Sequence, residues 1–193
     1  MSTHAVERNK RILVIPDCHF PYAHPDAIKF LSALKEKYKP TRVIHLGDEI
    51  DAHAISFHEV SPDLPSPGHE LKLAIEHMRP LYRIFPELDI MESNHGSRVY
   101  RKGKAAGLPE MVFRSYGEIL DAPKGWRWHR DLQLKLPNGQ RVMFFHGKGS
   151  QCPGPVKAHR HEHSERTLSH DVRHQPLVGR WIQSLRYGLR MLD

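Results

Sequence analysis

The chain is poor in the features that small scaffolds, membrane proteins and dedicated nucleic-acid modules rely on. It has only two cysteines in 193 residues, Cys18 and Cys152. Two cannot build a disulfide framework, and the absence of a CxxC pair excludes a structural zinc knuckle. No run approaches the roughly 18 consecutive apolar residues of a membrane span. Residues 1–10 are polar and lack the apolar core of a signal peptide. The expectation is a cytoplasmic protein with no membrane partner. No P-loop, RNP motif or C2H2 finger occurs.

What is present is charge and histidine. The net charge is +7, and there are 16 histidines. A basic balance favours anionic partners such as phosphate esters or nucleic acid, and says nothing about fold.

Apolar runs punctuated by polar clusters give an α/β layout. Residues 11–15, 42–46 and 88–92 read as buried strands, and two amphipathic stretches separate them. The first stretch carries Ile28, Leu31 and Leu34 and is stopped by Pro40. The second opens at Ser66-Pro67, an N-cap followed by proline, and carries Leu71, Ile75 and Met78, with Pro80 expected to kink or divide it. Pro109 to Leu120 is predicted to be one further helix. Leu132, Leu134 and Leu136 alternate with polar residues, Asn138-Gly139 signals a hairpin, and the return strand ends at His146-Gly147. Strand-helix-strand order implies a parallel sheet flanked by helices, with ligands beyond the carboxyl ends of its strands. The four strand ends are expected along one edge of that sheet.

Those ends carry Asp17-Cys18-His19, Gly47-Asp48-Glu49-Ile50-Asp51, Asn94-His95 and His146-Gly147. A single strand-terminal Asp or His is ordinarily just a loop residue, but a repeated pattern is not. Carboxylate, imidazole and amide oxygen together suit Mn²⁺, Fe²⁺ or Zn²⁺. Cys18, between two such residues, reads as a small packed side chain.

The series Asp-x-His, Gly-Asp-x-x-Asp, Asn-His and His-Gly, in this order over residues 11–147, resembles the signature of the calcineurin-like metallophosphoesterases. Phe20-Pro21-Tyr22, His24 and the Asp63 to Ser66 stretch resemble its phage and prophage branch. The resemblance implies that fold, a two-metal hydrolytic site and an in-line displacement at phosphorus. It implies Asp17 and His19 on one metal, Asp48 as the bridge, and Asn94 and His146 on the other metal. It makes His95 the proton donor to the leaving oxygen and Asp51 a supporting residue behind the ligands. Two divalent ions, Mn²⁺ foremost, are the implied cofactors. Arg98, Arg101, Lys102 and Lys104 directly follow His95 and are candidates for holding a phosphate backbone, against the alternative of a solvated helix face.

The expected activity is phosphodiester hydrolysis, with DNA or RNA the leading substrate and no protein partner specified. Phosphomonoester or phosphoprotein hydrolysis is the alternative within the class. A metal-deficient, non-catalytic nucleic-acid-binding remnant is the alternative outside it.

The family pattern departs here in three places. Ser93 stands where glycine usually precedes Asn-His. Gly96 stands where an acidic residue usually follows, removing a carboxylate expected to orient His95. The closing Gly-His-x-His motif is absent after residue 147. His159, His161 and His163 have the His-x-His spacing, but no strand-like run precedes them to aim the imidazoles.

Residues 1–150 therefore read as the catalytic domain, and 151–193 as an atypical basic, His- and Arg-rich tail. Back-translation supports a frameshift in that tail: permissible codons read one nucleotide later can yield Gly-His-x-His. A frameshifted tail is expected to leave both the fold and the metal site incomplete.

Overall fold

The computed structural model describes residues 11–147 and, for the backbone, 189–192. Strand β1 (Ile12–Ile15), helix α1 (Ala27–Tyr38), strand β2 (Arg42–His45), helix α2 (Pro67–Ile84) and strand β3 (Glu87–Met91) follow in order. Helix α3 (Arg98–Ala105), the short helix α4 (Tyr116–Ile119) and strand β4 (Gly125–His129) come next. Strands β5 (Asp131–Lys135), β6 (Arg141–Phe145) and β7 (Leu189–Leu192) complete the described chain. Strands β1-β2-β3-β4 form one parallel sheet, and β5-β6-β7 form a second, antiparallel one. Among the described residues no helix is long and apolar enough to cross a membrane.

Alternation within the parallel strands creates two cores, because successive side chains leave opposite faces of a sheet. Leu13, Ile15, Leu88 and Ile90 face the helices and pack with Leu31 of α1 and Ala74, Met78 and Leu81 of α2. Ile12, Val14, Ile44, Leu46 and Met91 face the other way and meet Leu132, Leu134, Val142 and Phe144. The result is helices, parallel sheet and antiparallel sheet in three layers. In the middle of β3, buried Asp89 bonds Arg42 at 2.9 Å, Arg127 at 3.2 Å and His129 at 2.8 Å, cross-linking β2, β3 and β4.

Several sequence expectations are corrected. The stretch 109–120 is not one helix but a 3-10 turn, Glu110–Val112, then α4. Phe113 is extended between them, and Ser115 restarts the chain with a capping box to Glu118. Helix α2 runs unbroken through Pro80, because its buried face continues past the proline to Leu81 and Tyr82. Ser66 precedes that helix as expected, but its side chain makes no cap bond.

Strand β4 was not anticipated, since Gly125-Trp-Arg-Trp-His129 has no clean apolar run. The fourth motif-bearing strand, β6, lies in the second sheet and not along the edge of the first. The sandwich, not one sheet edge, brings His146 to the other motifs. The tail falls outside the described residues except at Leu189–Leu192. There it pairs with β6.

Candidate metal centre

The loops after β1 and β2 are zipped together by backbone bonds. The amides of Cys18 and His19 both donate to the Asp48 carbonyl, Phe20 donates to Glu49, and Asp51 donates back to Phe20. This holds Asp17 and His19 directly against Asp48. His45 and Cys18 brace the pair from beneath: His45 Nδ1 accepts from the Gly47 amide, and its Nε2 faces Cys18 Sγ at 3.4 Å. Burial drives the His45 imidazole down to about 3, so it stays neutral.

Backbone conformation at the site is unusual. His19, Asp48 and Ala52 all have positive φ, at 54°, 51° and 49°. Left-handed non-glycine residues cost of order 1–3 kcal/mol each and persist only where surroundings impose them. Gly47 has φ 97°, and a Cβ there would lie 2.8 Å from the Met91 carbonyl and 2.9 Å from His146 Nδ1. Only glycine lets the second loop pass between β3 and His146.

His146 Nδ1 donates to the Leu46 carbonyl at 2.8 Å, which turns Nε2 toward the other motifs. Nε2 faces Asn94 Oδ1 at 2.7 Å and Asp48 Oδ1 at 3.4 Å. On the other side, His19 is fixed through Nδ1 by Asp51 Oδ1 at 3.0 Å, and its Nε2 points to Asp48 Oδ2 at 3.8 Å. Asp17, His19 and Asp48 can bring one ligand atom each within 4.8 Å of one another. A second such group joins His19, Asp51 and His95. Asn94 Oδ1 and Asp48 Oδ1 thus gather around His146 Nε2, and Asp48 Oδ1 also accepts from the His95 amide at 3.2 Å. Carboxylate, imidazole and amide oxygen on either side of Asp48 are a donor set that suits a divalent ion.

Asp51 serves two imidazoles. Its Oδ1 lies 3.0 Å from Nδ1 of both His19 and His95, whose rings meet edge to face. Burial pushes the Asp51 carboxyl up, but hydrogen bonds from His19 and His95 outweigh it and hold the group well below the usual carboxylate range. Burial likewise lowers His95, and the Asp51 hydrogen bond and Asp48 charge outweigh it, raising the imidazole overall. The missing acidic residue at Gly96 thus leaves His95 oriented, because Asp51 supplies the carboxylate. Gly96 has its own reason: a Cβ there would lie 2.8 Å from the Tyr116 hydroxyl. Ser93 accepts from the Gly96 amide through Oγ and closes the same turn.

Asp17, His19, Asp48, Asp51, Asn94, His95 and His146 are therefore brought together. Arg98 is brought in too, but not on the exposed face expected of a phosphate clamp. It is buried, donates to the carbonyls of Asp51 and Ala52, and approaches His95 Nε2 at 3.1 Å. Arg101 and Lys102 lie farther out, with Arg101 donating to the Asn94 carbonyl at 2.7 Å. His159, His161 and His163 lie outside the described residues.

Sequence reasoning missed Glu70, whose two carboxylate oxygens accept from the amides of His53 and Ala54 at 2.8 Å and fix the loop after Asp51. Its signal was faint: an acidic residue four before Ala74, on the apolar stripe of α2. No protein-family model matches the chain, and no curated protein matches it.

Proposed function

We propose that this chain is a divalent-metal-dependent phosphoesterase of the calcineurin-like kind, acting on phosphodiester bonds. The observation that carries the reading is the meeting of the Asp48, Asn94 and His146 side chains opposite Asp17 and His19. Asp17, His19 and Asp48 would hold one ion, and Asp48, Asn94 and His146 the other, with Mn²⁺ the first candidate and Fe²⁺ or Zn²⁺ also suited to the set. When bound, such ions polarise a phosphoryl oxygen and neutralise charge developing in an in-line displacement. His95 is anchored on Asp51 through Nδ1, so Nε2, which accepts from Arg98 at 3.1 Å in this structure, is the atom that would turn to the leaving oxygen and carry the proton once Arg98 gives way. Arg98 keeps that ring and the Asp51-Ala52 backbone in register.

A second reading, a metal-deficient remnant, draws on the absent Gly-His-x-His after residue 147. Metal content separates the two. The purified chain is stripped with chelator and resupplied with Mn²⁺. Bound metal and hydrolysis of a nitrophenyl diester and monoester are then measured. Metal-dependent turnover of the diester is expected, lost in Asp48→Asn together with the metal. His95→Asn should lower turnover by about 10²-fold or more while retaining most metal. A chain that binds no metal and turns over nothing is the remnant, and equal metal loss in both variants contradicts the assigned roles.

A further inference from the structure

Beside the site stands an aromatic ring that the proposed chemistry does not use. Phe57 follows the turn His53–Ile55 and is 51 % exposed, although it is a large apolar side chain. Its loop is fixed from beneath. Glu70 takes the two amides that open the turn, and the Ser56 amide donates to the His53 carbonyl. The buried Ser56 accepts from the His58 amide. Two cations from α3 reach the ring, Lys102 Nζ at 4.4 Å and Arg101 Cζ at 5.1 Å from its centroid. Arg101 also donates to the backbone of Asn94, so the platform adjoins the proposed ligands.

A rigidly held, half-open ring carrying two cations next to a phosphate-cleaving centre matches one ligand chemistry. Bases of a single strand offer a π face to stack on, with phosphates at regular spacing for the cations. Bases in a duplex are stacked on each other and closed to such a ring. A phosphopeptide or simple monoester has phosphate but no regular series of π faces. The chain's net charge of +7 favours the same partner.

We propose that Phe57, with Arg101 and Lys102, is a base-stacking platform that selects single-stranded nucleic acid. This rests on the phosphodiesterase reading for its location, but binding can be tested without turnover.

The test uses the full chain in chelator with fluorescein-labelled oligothymidine of 12 nucleotides, an abasic strand of equal phosphate number, and a duplex. Phe57→Ala should weaken binding of the oligothymidine about 5- to 100-fold, the range of one lost stacking contact. It should leave the abasic strand unchanged. Phe57→Trp should retain base-dependent binding, whereas Phe57→Leu, which keeps apolar bulk without a π face, should not. Arg101→Ala and Lys102→Ala should weaken the oligothymidine and abasic strands alike and flatten the salt dependence.

Equal affinity of wild type for oligothymidine and abasic strand overturns the proposal. So does equal loss on both strands in Phe57→Ala, a preference for the duplex, or no measurable binding. Base-dependent binding without metal-dependent turnover would fail the hydrolytic reading alone. Turnover without base dependence would fail the platform alone.

Discussion

At the scale of residues, the centre is built as much by its supports as by its proposed ligands. Asp51 is the clearest case, since one carboxylate orients the imidazole proposed as a ligand and the imidazole proposed as a proton donor. Groups that orient ligands typically matter 10–100-fold in metal affinity. Asp51→Asn is expected to weaken Mn²⁺ binding by about that factor and to lower turnover further, measured by metal titration and diester hydrolysis. Stability should change with pH in a fixed sense. The folded-state carboxyl lies below its ordinary value of 3.8, so its contribution is complete above that value and is lost as pH falls through the lower folded one. The gap in stability between wild type and Asp51→Asn should be largest near about pH 5, shrink above neutrality as His95, which Asp51 raises, loses its proton, and narrow again below about pH 4. A gap that widens below about pH 4 would refute this assignment. The motif residues were legible in the sequence because each sits at the end of an apolar run. The supports were not: Glu70 and His45 act through tertiary bonds to residues distant in sequence, and Arg98, legible as a basic residue after His95, turns inward to the Asp51 and Ala52 carbonyls that no local pattern announces.

At the scale of elements, strands with continuous apolar runs were readable, and β4 was not. Gly125-Trp-Arg-Trp-His129 alternates bulky aromatics with polar residues, and its partner is β3, more than thirty positions away. Trp126 is buried and donates to the Phe85 carbonyl, and Trp128 donates to Glu49. Pairing with β3, rather than local propensity, makes this segment a strand. Gly125 sits at the closest approach. A Cβ there would lie 2.4 Å from the Pro86 carbonyl and 3.2 Å from Glu87 Cα, both backbone atoms that cannot rotate away. Gly125→Ala, ordinarily mild in a strand, should destabilise by about 1–3 kcal/mol through this overpacking. Chemical denaturation checks the value. Gly139→Ala serves as a comparison for the effect of positive φ alone, since it has open space around it and φ 90°. If Gly125→Ala cost less than 0.5 kcal/mol, roughly the scatter expected of neutral surface changes, the close approach would not be a constraint.

At the scale of the molecule, the second sheet decides whether the centre is complete. Sequence periodicity found the β5-β6 hairpin but assigned its end to the wrong sheet, because alternation marks a strand without naming its partner. Nor did composition foresee that residues 189–192 would add a third strand, since Leu-Arg-Met-Leu gives too short a run. Strand β7 pairs along β6 from Arg141↔Leu192 to Phe144↔Leu189, ending two residues before His146. An edge strand left unpaired exposes its amides and carbonyls to water and to other chains. Removing residues 189–193 would expose β6 in this way, directly beside the imidazole that faces Asn94 and Asp48. The truncated chain should melt several degrees lower, since a chain of this size shifts by about 2–4 °C per kcal/mol. It should also bind Mn²⁺ more weakly, because His146 is aimed by the end of β6. An Asn94→Ala variant in the full-length chain supplies the comparison for losing that side of the centre. Truncation and Asn94→Ala should then be less than additive in metal affinity, as both act on the ion shared with His146. If truncation leaves melting and metal binding unchanged, the tail contributes nothing to the sheets, as a frameshifted segment was expected to behave, and the pairing seen at β7 has no bearing on the site.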